Sequence, residues 1–320
     1  MLNKLSLNSY AKLNLYLEVL KPRKDGYHSI KTIFEKIDLC DKIILKSRPD
    51  KKIKLTCNLP DIPKGRSNLA YRSAQLLRRA LHIDKGVDIK IIKHIPVAAG
   101  LGGGSSNAAA ALVGLNKLWR LNLKQNKLVQ LAKKIGSDVP FFIYDYPFAE
   151  GLGRGDNIRP LKARNNLALW HILVVPKFRV LTPVIYKKWD GIPKTFKLTP
   201  LDKRGILKNS YLTGLTRFGC NVKIMALALK KGDLSLLGQT LFNSLEGVSV
   251  KLYPRITRIR EKLLRMGVKS ILMSGSGPAV FGVCSSKKEA LSLSRQLKRD
   301  NSCGFKIFVT RTQQNRTTRR

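Results

Sequence analysis

The residues with the clearest chemical content are Gly100, Leu101, Gly102, Gly103 and Gly104, followed by Ser105, Ser106 and Asn107 and preceded by Pro96. Glycine is costly to order, and a turn needs only one or two of them. Four in five positions instead let a backbone approach a ligand without Cβ clash, with the free amides of a helix N-terminus turned toward an anion. The competing reading is a surface loop with a serine cap. The loop has no Lys before Ser105, as a Walker A loop would, and its glycines lack the spacing of a dinucleotide fingerprint.

Asp138 follows Gly136 and Ser137 and precedes Val139 and Pro140, a position that suits either a helix cap or a general base. Lys12 and Asn14 are two residues apart in an alternating segment and share its polar face, about 6 to 7 Å apart by strand rise. Such a cation can serve catalysis or sit in solvent. A second glycine and serine loop runs from Met273 to Pro278, through Ser274, Gly275, Ser276 and Gly277, and a tight turn would explain it equally.

Taken in this order, the three loop segments resemble the GHMP kinase superfamily, over about residues 7 to 310. Ser9 to Leu15, Asp25 to His28 and Gly136 to Phe142 further resemble the branch acting on a cytidine diphosphate of methylerythritol, in the non-mevalonate route to isoprenoid precursors. The resemblance implies an ATP-dependent kinase of the 2-hydroxyl of that alcohol, with Asp138 as general base and Lys12 stabilising the developing charge. It implies that Gly102, Gly103, Gly104, Ser105 and Ser106 hold the ATP phosphates with Mg²⁺, within a loop that includes Pro96, Gly100 and Leu101. Asn68 and Lys93 are implied near the adenine and ribose. Asn14, Tyr27, His28, Thr182 and Tyr186 are implied at the acceptor, the base lying between the rings of Tyr27 and Tyr186. Ser274, Gly275, Ser276 and Gly277 would close the site. The metal ligands stay unassigned, with Ser106 a candidate. The sequence departs from the pattern at Asp156, where the family often has Glu, in its basic balance, and in the tail from Arg311 to Arg320.

The elements that must position these groups follow from periodicity. Lys12 to Leu20 places Leu13, Leu15, Leu17 and Val19 opposite Lys12, Asn14, Tyr16 and Glu18, the mark of a half-buried strand. Strands are predicted at Ile30 to Ile37, Lys42 to Lys46, Lys52 to Cys57 and Val87 to Lys93, with a turn at Asp25 and Gly26. Helices are predicted after Ser67 or Asn68, after Gly104, and from Leu128 to Ile135. The polar run from Arg154 to Asn166 reads as a linker before a strand at Leu169 to Val175. Helical patterns at Ile256 to Met266 and Lys287 to Leu297 then alternate with strands at Lys269 to Met273, Ala279 to Cys284 and Phe305 to Thr310. The expected class is α+β, with an ATP-binding domain over 1–160, a second domain over 161–310, and a disordered basic tail over 311–320. The resemblance implies a fold like the second domain of ribosomal protein S5 for the first and a ferredoxin-like fold for the second.

Composition bounds the rest. The chain has 320 residues, a mean hydropathy of −0.14 and 43% apolar residues, as in a globular protein of about two domains. Its longest apolar run, Leu167 to Pro176, is interrupted by His171 and is about half of what a membrane helix needs, and Met1 to Asn14 carries no leader pattern. The five scattered cysteines, Cys40, Cys57, Cys220, Cys284 and Cys303, form no metal or disulfide pattern, so a reducing cytoplasm is expected. The net charge of +41 comes from 61 basic residues against 20 acidic ones. That balance attracts polyanions, but no aromatic RNA-reading segment accompanies it, so a solvated basic surface is expected rather than a nucleic acid site. The expected state is a monomer or weak homodimer. The rivals are a GHMP kinase for another small alcohol and a basic RNA-binding module of the same fold.

Overall fold

The computed structural model describes residues 3–192, 219–300 and 304–314. The alternating segment lies inside a longer strand, β1 (Lys4–Pro22), which turns at Asp25 and Gly26 into β2 (His28–Arg48). Gly26 has a φ of +80°, a conformation that glycine adopts without Cβ strain. The two strands expected at Ile30 to Ile37 and Lys42 to Lys46 are one continuous strand. A register shift between Tyr10 and Ala11 carries it across the intervening polar residues.

The expectation of a half-buried β1 is corrected: Lys12, Asn14, Tyr16 and Glu18 are as buried as the leucines between them. β1 lies between β2 and the two-residue strand β8 (Phe242–Asn243), and both of its faces are covered. β3 (Ile53–Cys57) and β4 (Gly86–Ile92) extend the sheet beside the second half of β2, while β5 (Phe148–Leu152) and β6 (Asn157–Pro160) extend it beside the first half. The stretch read as a linker therefore contains a strand. Its alternation was too short and too polar to register.

Helices α1 (Leu69–Leu81), α2 (Gly103–Leu118), α3 (Gln125–Lys133) and α4 (Val139–Tyr144) share one apolar cluster with β2, β3 and β4. α2 is apolar nearly all round because it is buried, and Gly114 brings it against the sheet: a Cβ there would lie 2.5 Å from Leu45 and 2.6 Å from Leu7.

The second half contains β7 (Trp170–Val175), α5 (Thr182–Asp190), α6 (Gly219–Lys231), α7 (Leu234–Thr240), α8 (Glu246–Leu252) and α9 (Pro254–Arg265), then β9 (Ile271–Met273), β10 (Val280–Cys284), α10 (Lys287–Arg299) and β11 (Lys306–Arg311). Its sheet runs β11-β7-β10-β9, all antiparallel, so in chain order its strands lie 4-1-3-2, the split β-α-β arrangement of the expected ferredoxin-like layer. α9 and α10 cover it with Ile256, Ile259 and Leu263, and with Ala290, Leu293 and Leu297. Arg255, Arg258, Arg265, Lys287, Lys288, Arg295, Lys298 and Arg299 face solvent, as a spread basic surface requires.

The halves are joined by more than one chain crossing. β8 adds to the first sheet, and one apolar cluster combines Leu13, Leu15 and Tyr16 with Leu169, Leu173, Met225 and Phe281. The tail is also corrected: Arg311 closes β11, and Thr312 donates to Glu35 at 2.6 Å, whose carboxylate meets His171 at 2.9 Å in a buried pair. Residues 315–320 of the tail, and Cys303, lie outside the described residues. Among the described residues no helix is long and apolar enough to cross a membrane.

Candidate active site

The two glycine loops lean on each other at the junction of the halves. Ser274 Oγ donates to the Gly100 carbonyl at 3.1 Å, and the Ala279 amide donates to the Ala99 carbonyl at 3.3 Å. Asn243 holds the far side by donating to the carbonyls of Met273 and Gly275, each at 2.8 Å. The four glycines of the first loop have different tasks. Gly100 and Gly102 have φ of +78° and +68°, and a Cβ on Gly100 would lie 2.0 Å from the Ser274 carbonyl oxygen. Gly103 and Gly104 already belong to α2, and a Cβ on Gly104 would meet nothing nearer than 3.8 Å. The amides of Gly103, Gly104 and Ser105 are the first of the helix and have no carbonyl of their own turn to reach.

Beneath the loop, Lys12 Nζ stands 3.5 Å from Asp138 Oδ2 and donates to Asn14 Oδ1 at 2.5 Å. Asn14 is held in turn by donating to Thr32 Oγ1 at 2.7 Å. Lys12 also lies over the Phe34 ring, 5.4 Å from its centroid. Asp138 occupies the cap position of α4 but accepts no cap bond from it, so its carboxylate is left for Lys12 and the cavity. The capping reading fails for that reason. A fixed cation beside a partly exposed carboxylate can hold negative charge and accept a proton.

These groups line one cavity of about 910 Å³. Its wall includes Lys12, Asn14, Tyr27, His28, Asn68, Lys93, Pro96, Gly100 to Ser105, Asp138, Thr182, Tyr186, Gly275 and Ser276. Ser106, Ser274 and Gly277 stand behind it. Ser274 clamps the loop, and the buried Ser106 Oγ accepts from Ser9 Oγ at 2.7 Å.

The two residues expected at the nucleotide are both engaged by protein groups. The Lys93 ammonium is buried and turned inward onto Asp41, with Asn107 Oδ1 at 3.3 Å, and Asp41 also accepts from the amides of His94 and Ile95. Its charge supports the loop from below, and the residue still lines the cavity. The Asn68 side chain is engaged in capping α1, accepting from the Ala70 amide at 2.9 Å and donating to the Pro63 carbonyl at 2.8 Å. Sequence alone offered Asn68 as a cap but did not pair Lys93, because Asp41 is 52 positions away.

At the other end, the ring against Tyr186 is that of His28, with centroids 5.2 Å apart and planes at 32°. Tyr27 is 50% exposed and carries the Arg154 guanidinium 5.0 Å over its ring. Burial, reinforced by the charge of Asp138, raises the Tyr186 phenol well above its ordinary range, so it stays a neutral hydrogen-bonding group. Thr182 Oγ1 lies 2.8 Å from Ser276 Oγ, joining α5 to the second glycine loop. Arg154, Lys187 and Asp190 also line this end. They were missed because single charged residues on a basic chain carry no signal of their own.

Residues 68–146 match the GHMP kinases N terminal domain and residues 225–302 the GHMP kinases C terminal domain. The chain is 39% identical over 282 residues to a 4-diphosphocytidyl-2-C-methyl-D-erythritol kinase of Alkaliphilus metalliredigens, covering 88% of each chain. A crystal structure of 4-(cytidine 5'-diphospho)-2C-methyl-D-erythritol kinase is 30% identical, with a TM-score of 0.73 over 97% of this chain and all of that one. A mevalonate kinase of L. major in complex with R-mevalonate has a TM-score of 0.71 at 18% identity, covering 98% of each chain, and shares the fold alone.

Proposed function

Because the chain belongs to the 4-diphosphocytidyl-2-C-methyl-D-erythritol kinase family of the GHMP kinases, we propose that it transfers the γ-phosphoryl group of ATP to the 2-hydroxyl of that cytidine diphosphate alcohol. The observation that carries the reading is the Lys12 and Asp138 pair, 3.5 Å apart in a cavity whose other wall is a helix N-terminus reached through a glycine loop. An alcohol is a poor nucleophile at neutral pH. Asp138 takes its proton as the oxygen bonds to the γ-phosphorus, and the bond from that phosphorus to the bridging oxygen of ADP breaks. Lys12 holds the negative charge that gathers on the oxygens in transfer. The amides of Gly103, Gly104 and Ser105 receive the ATP phosphates, and Asn14 keeps the Lys12 ammonium aimed at them.

The residues also fit Mg²⁺ carried in by ATP. Among the described residues no group of three carboxylate, imidazole or thiol side chains forms a protein cage, and such an ion is held mainly by phosphate oxygens and water. Ser105, at the start of α2 and in the cavity wall, would supply a hydroxyl to it, whereas Ser106 is turned inward onto Ser9. When bound, the ion neutralises phosphate charge. At the acceptor end Tyr27, His28, Thr182 and Tyr186 receive the cytidine diphosphate.

The test is ATP turnover with a panel of alcohols. The cytidine diphosphate alcohol should be turned over, and methylerythritol phosphate without the nucleotide should be a poor substrate. Equal kcat/KM for both would move the chain to another specificity within the superfamily.

A further inference from the structure

We propose that Glu246 is a positioning residue for the phosphoryl transfer: from outside the cavity it sets the second glycine loop, and that loop sets Asn14 and the first glycine loop around the reacting groups. The inference rests on the transfer proposed above. Glu246 opens α8, is buried and is absent from the cavity wall, so it acts through its neighbours. Its Oε1 accepts from the Met273 amide at 3.0 Å, one residue before Ser274. Arg260 of α9 donates to both carboxylate oxygens at 3.2 Å and to the Ile271 carbonyl at 3.4 Å. The pair thus grips both ends of β9, the strand that delivers the loop.

The same corner holds the loop by its main chain. Asn243, which donates to the Met273 and Gly275 carbonyls, accepts from the Leu245 amide at 2.9 Å, and Ser249 Oγ donates to the Ser276 carbonyl at 3.4 Å. Ser244 fastens the corner to the central strand, its amide donating to the Leu17 carbonyl at 2.8 Å and its Oγ accepting from the Val19 amide at 3.0 Å. On its other side the loop meets the site. Ser274 Oγ accepts from the Asn14 amide at 3.4 Å, and a Cβ on Gly275 would lie 3.4 Å from Asn14 Oδ1, the atom that aims Lys12. Ser274 also carries Gly100, so a displaced loop moves the cation and the phosphate loop together. A misplacement of about 1 Å can cost ~10²-fold in rate.

Changing Glu246 alone to an apolar residue would strand the Arg260 charge, so the experiment changes both. Glu246→Leu with Arg260→Met replaces a buried ion pair by apolar groups and leaves the Met273 amide without its acceptor. Glu246→Gln with Arg260→Met also removes the charges but keeps an oxygen for that amide. With kcat counted per folded molecule, the Leu variant should lose at least ~10-fold, and the Gln variant should recover most of the loss. Hydrogen exchange should quicken over residues 273–277 in the Leu variant and not in α9 or α10. Should the Leu variant not fold, Glu246→Asp, which keeps the charge but draws it back by one methylene, takes its place, with the same order expected. A variant lacking the acceptor that keeps the wild-type kcat, a Gln variant no better than it, or exchange that quickens equally through the second half overturns the inference and leaves the kinase reaction standing. Failure of the wild type to phosphorylate the cytidine substrate overturns both.

Discussion

The backbone amide of Lys12 donates to the carbonyl of Leu101 at 3.0 Å. This bond fastens the central strand to the glycine loop between its two glycines of positive φ. The strand that carries Lys12 and the start of α2 therefore keep one separation, fixed by main chain, and Asn14 and Asp138 hold the ammonium within it. A phosphoryl transfer that depends on position and charge needs that rigidity.

Asp138→Asn keeps the shape of the side chain and removes its capacity to take a proton. Steady-state assays should find kcat at least ~10²-fold lower with little change in ATP affinity. An unchanged kcat would remove Asp138 from the proton-accepting role.

Glycines of the first loop should differ sharply in tolerance. Gly100→Ala places a methyl group against the Ser274 carbonyl on a backbone of positive φ, so it should part the two loops and abolish ATP binding. Gly104→Ala finds open space and should bind ATP nearly as the parent does. Nucleotide titration of the two variants checks the contrast, and equal affinities would show that loop contact does not govern binding.

Lys93→Met leaves Asp41 charged and buried without its cation. A loss of about 3–5 kcal/mol in stability is expected, read as a lowered denaturant midpoint. Were the ammonium also a nucleotide contact, KM for ATP would rise as well. The two measurements separate a supporting role from a binding one.

Cys284 is 2% exposed, and burial, reinforced by the charge of Glu289, pushes its thiol up to about 12. The unfolded thiol ionises near about 8.5. Between those values the unfolded chain has released a proton that the folded chain retains, so this contribution is whole below the window and is lost as pH rises through it. Cys284→Ala should show a shallower alkaline decline in stability than the parent, by up to ~1.4 kcal/mol per pH unit. Alkylation at pH 9 should spare Cys284 until denaturant is added, and mass mapping that finds it modified in the folded protein would refute its burial.

Legibility in the sequence followed the range of the interactions. Lys12 and Asn14 could be placed together because a strand repeats every two residues, and the start of α2 was marked by its glycines. Of the two candidate caps of α1, Ser67 and Asn68, Asn68 takes the role. By contrast, the two residues of β8 are too few to show a period, and they pair with β1 from more than 200 positions away. The burial of the polar face of β1 was hidden as well, since the groups over it, Phe34 and Asp138 at Lys12, Thr32 at Asn14 and Phe242 at Tyr16, come from other elements. At the site, the motif residues were found but their partners were not: Asp41 under Lys93, Ser274 against Gly100 and Asp190 on His28 are all fixed by tertiary contact.

The strand β8 also determines how this molecule can be taken apart. A cut near residue 160 separates the two runs of sequence but not two finished bodies. The first fragment would keep an open edge along β1, and the second would carry a strand with no sheet to join. Thr312 would likewise lose Glu35, and the buried His171 its carboxylate. A hybrid gene with its crossover at that point must match a strand edge, an apolar seam and a buried hydrogen bond all at once, so the practical unit of exchange is the whole chain.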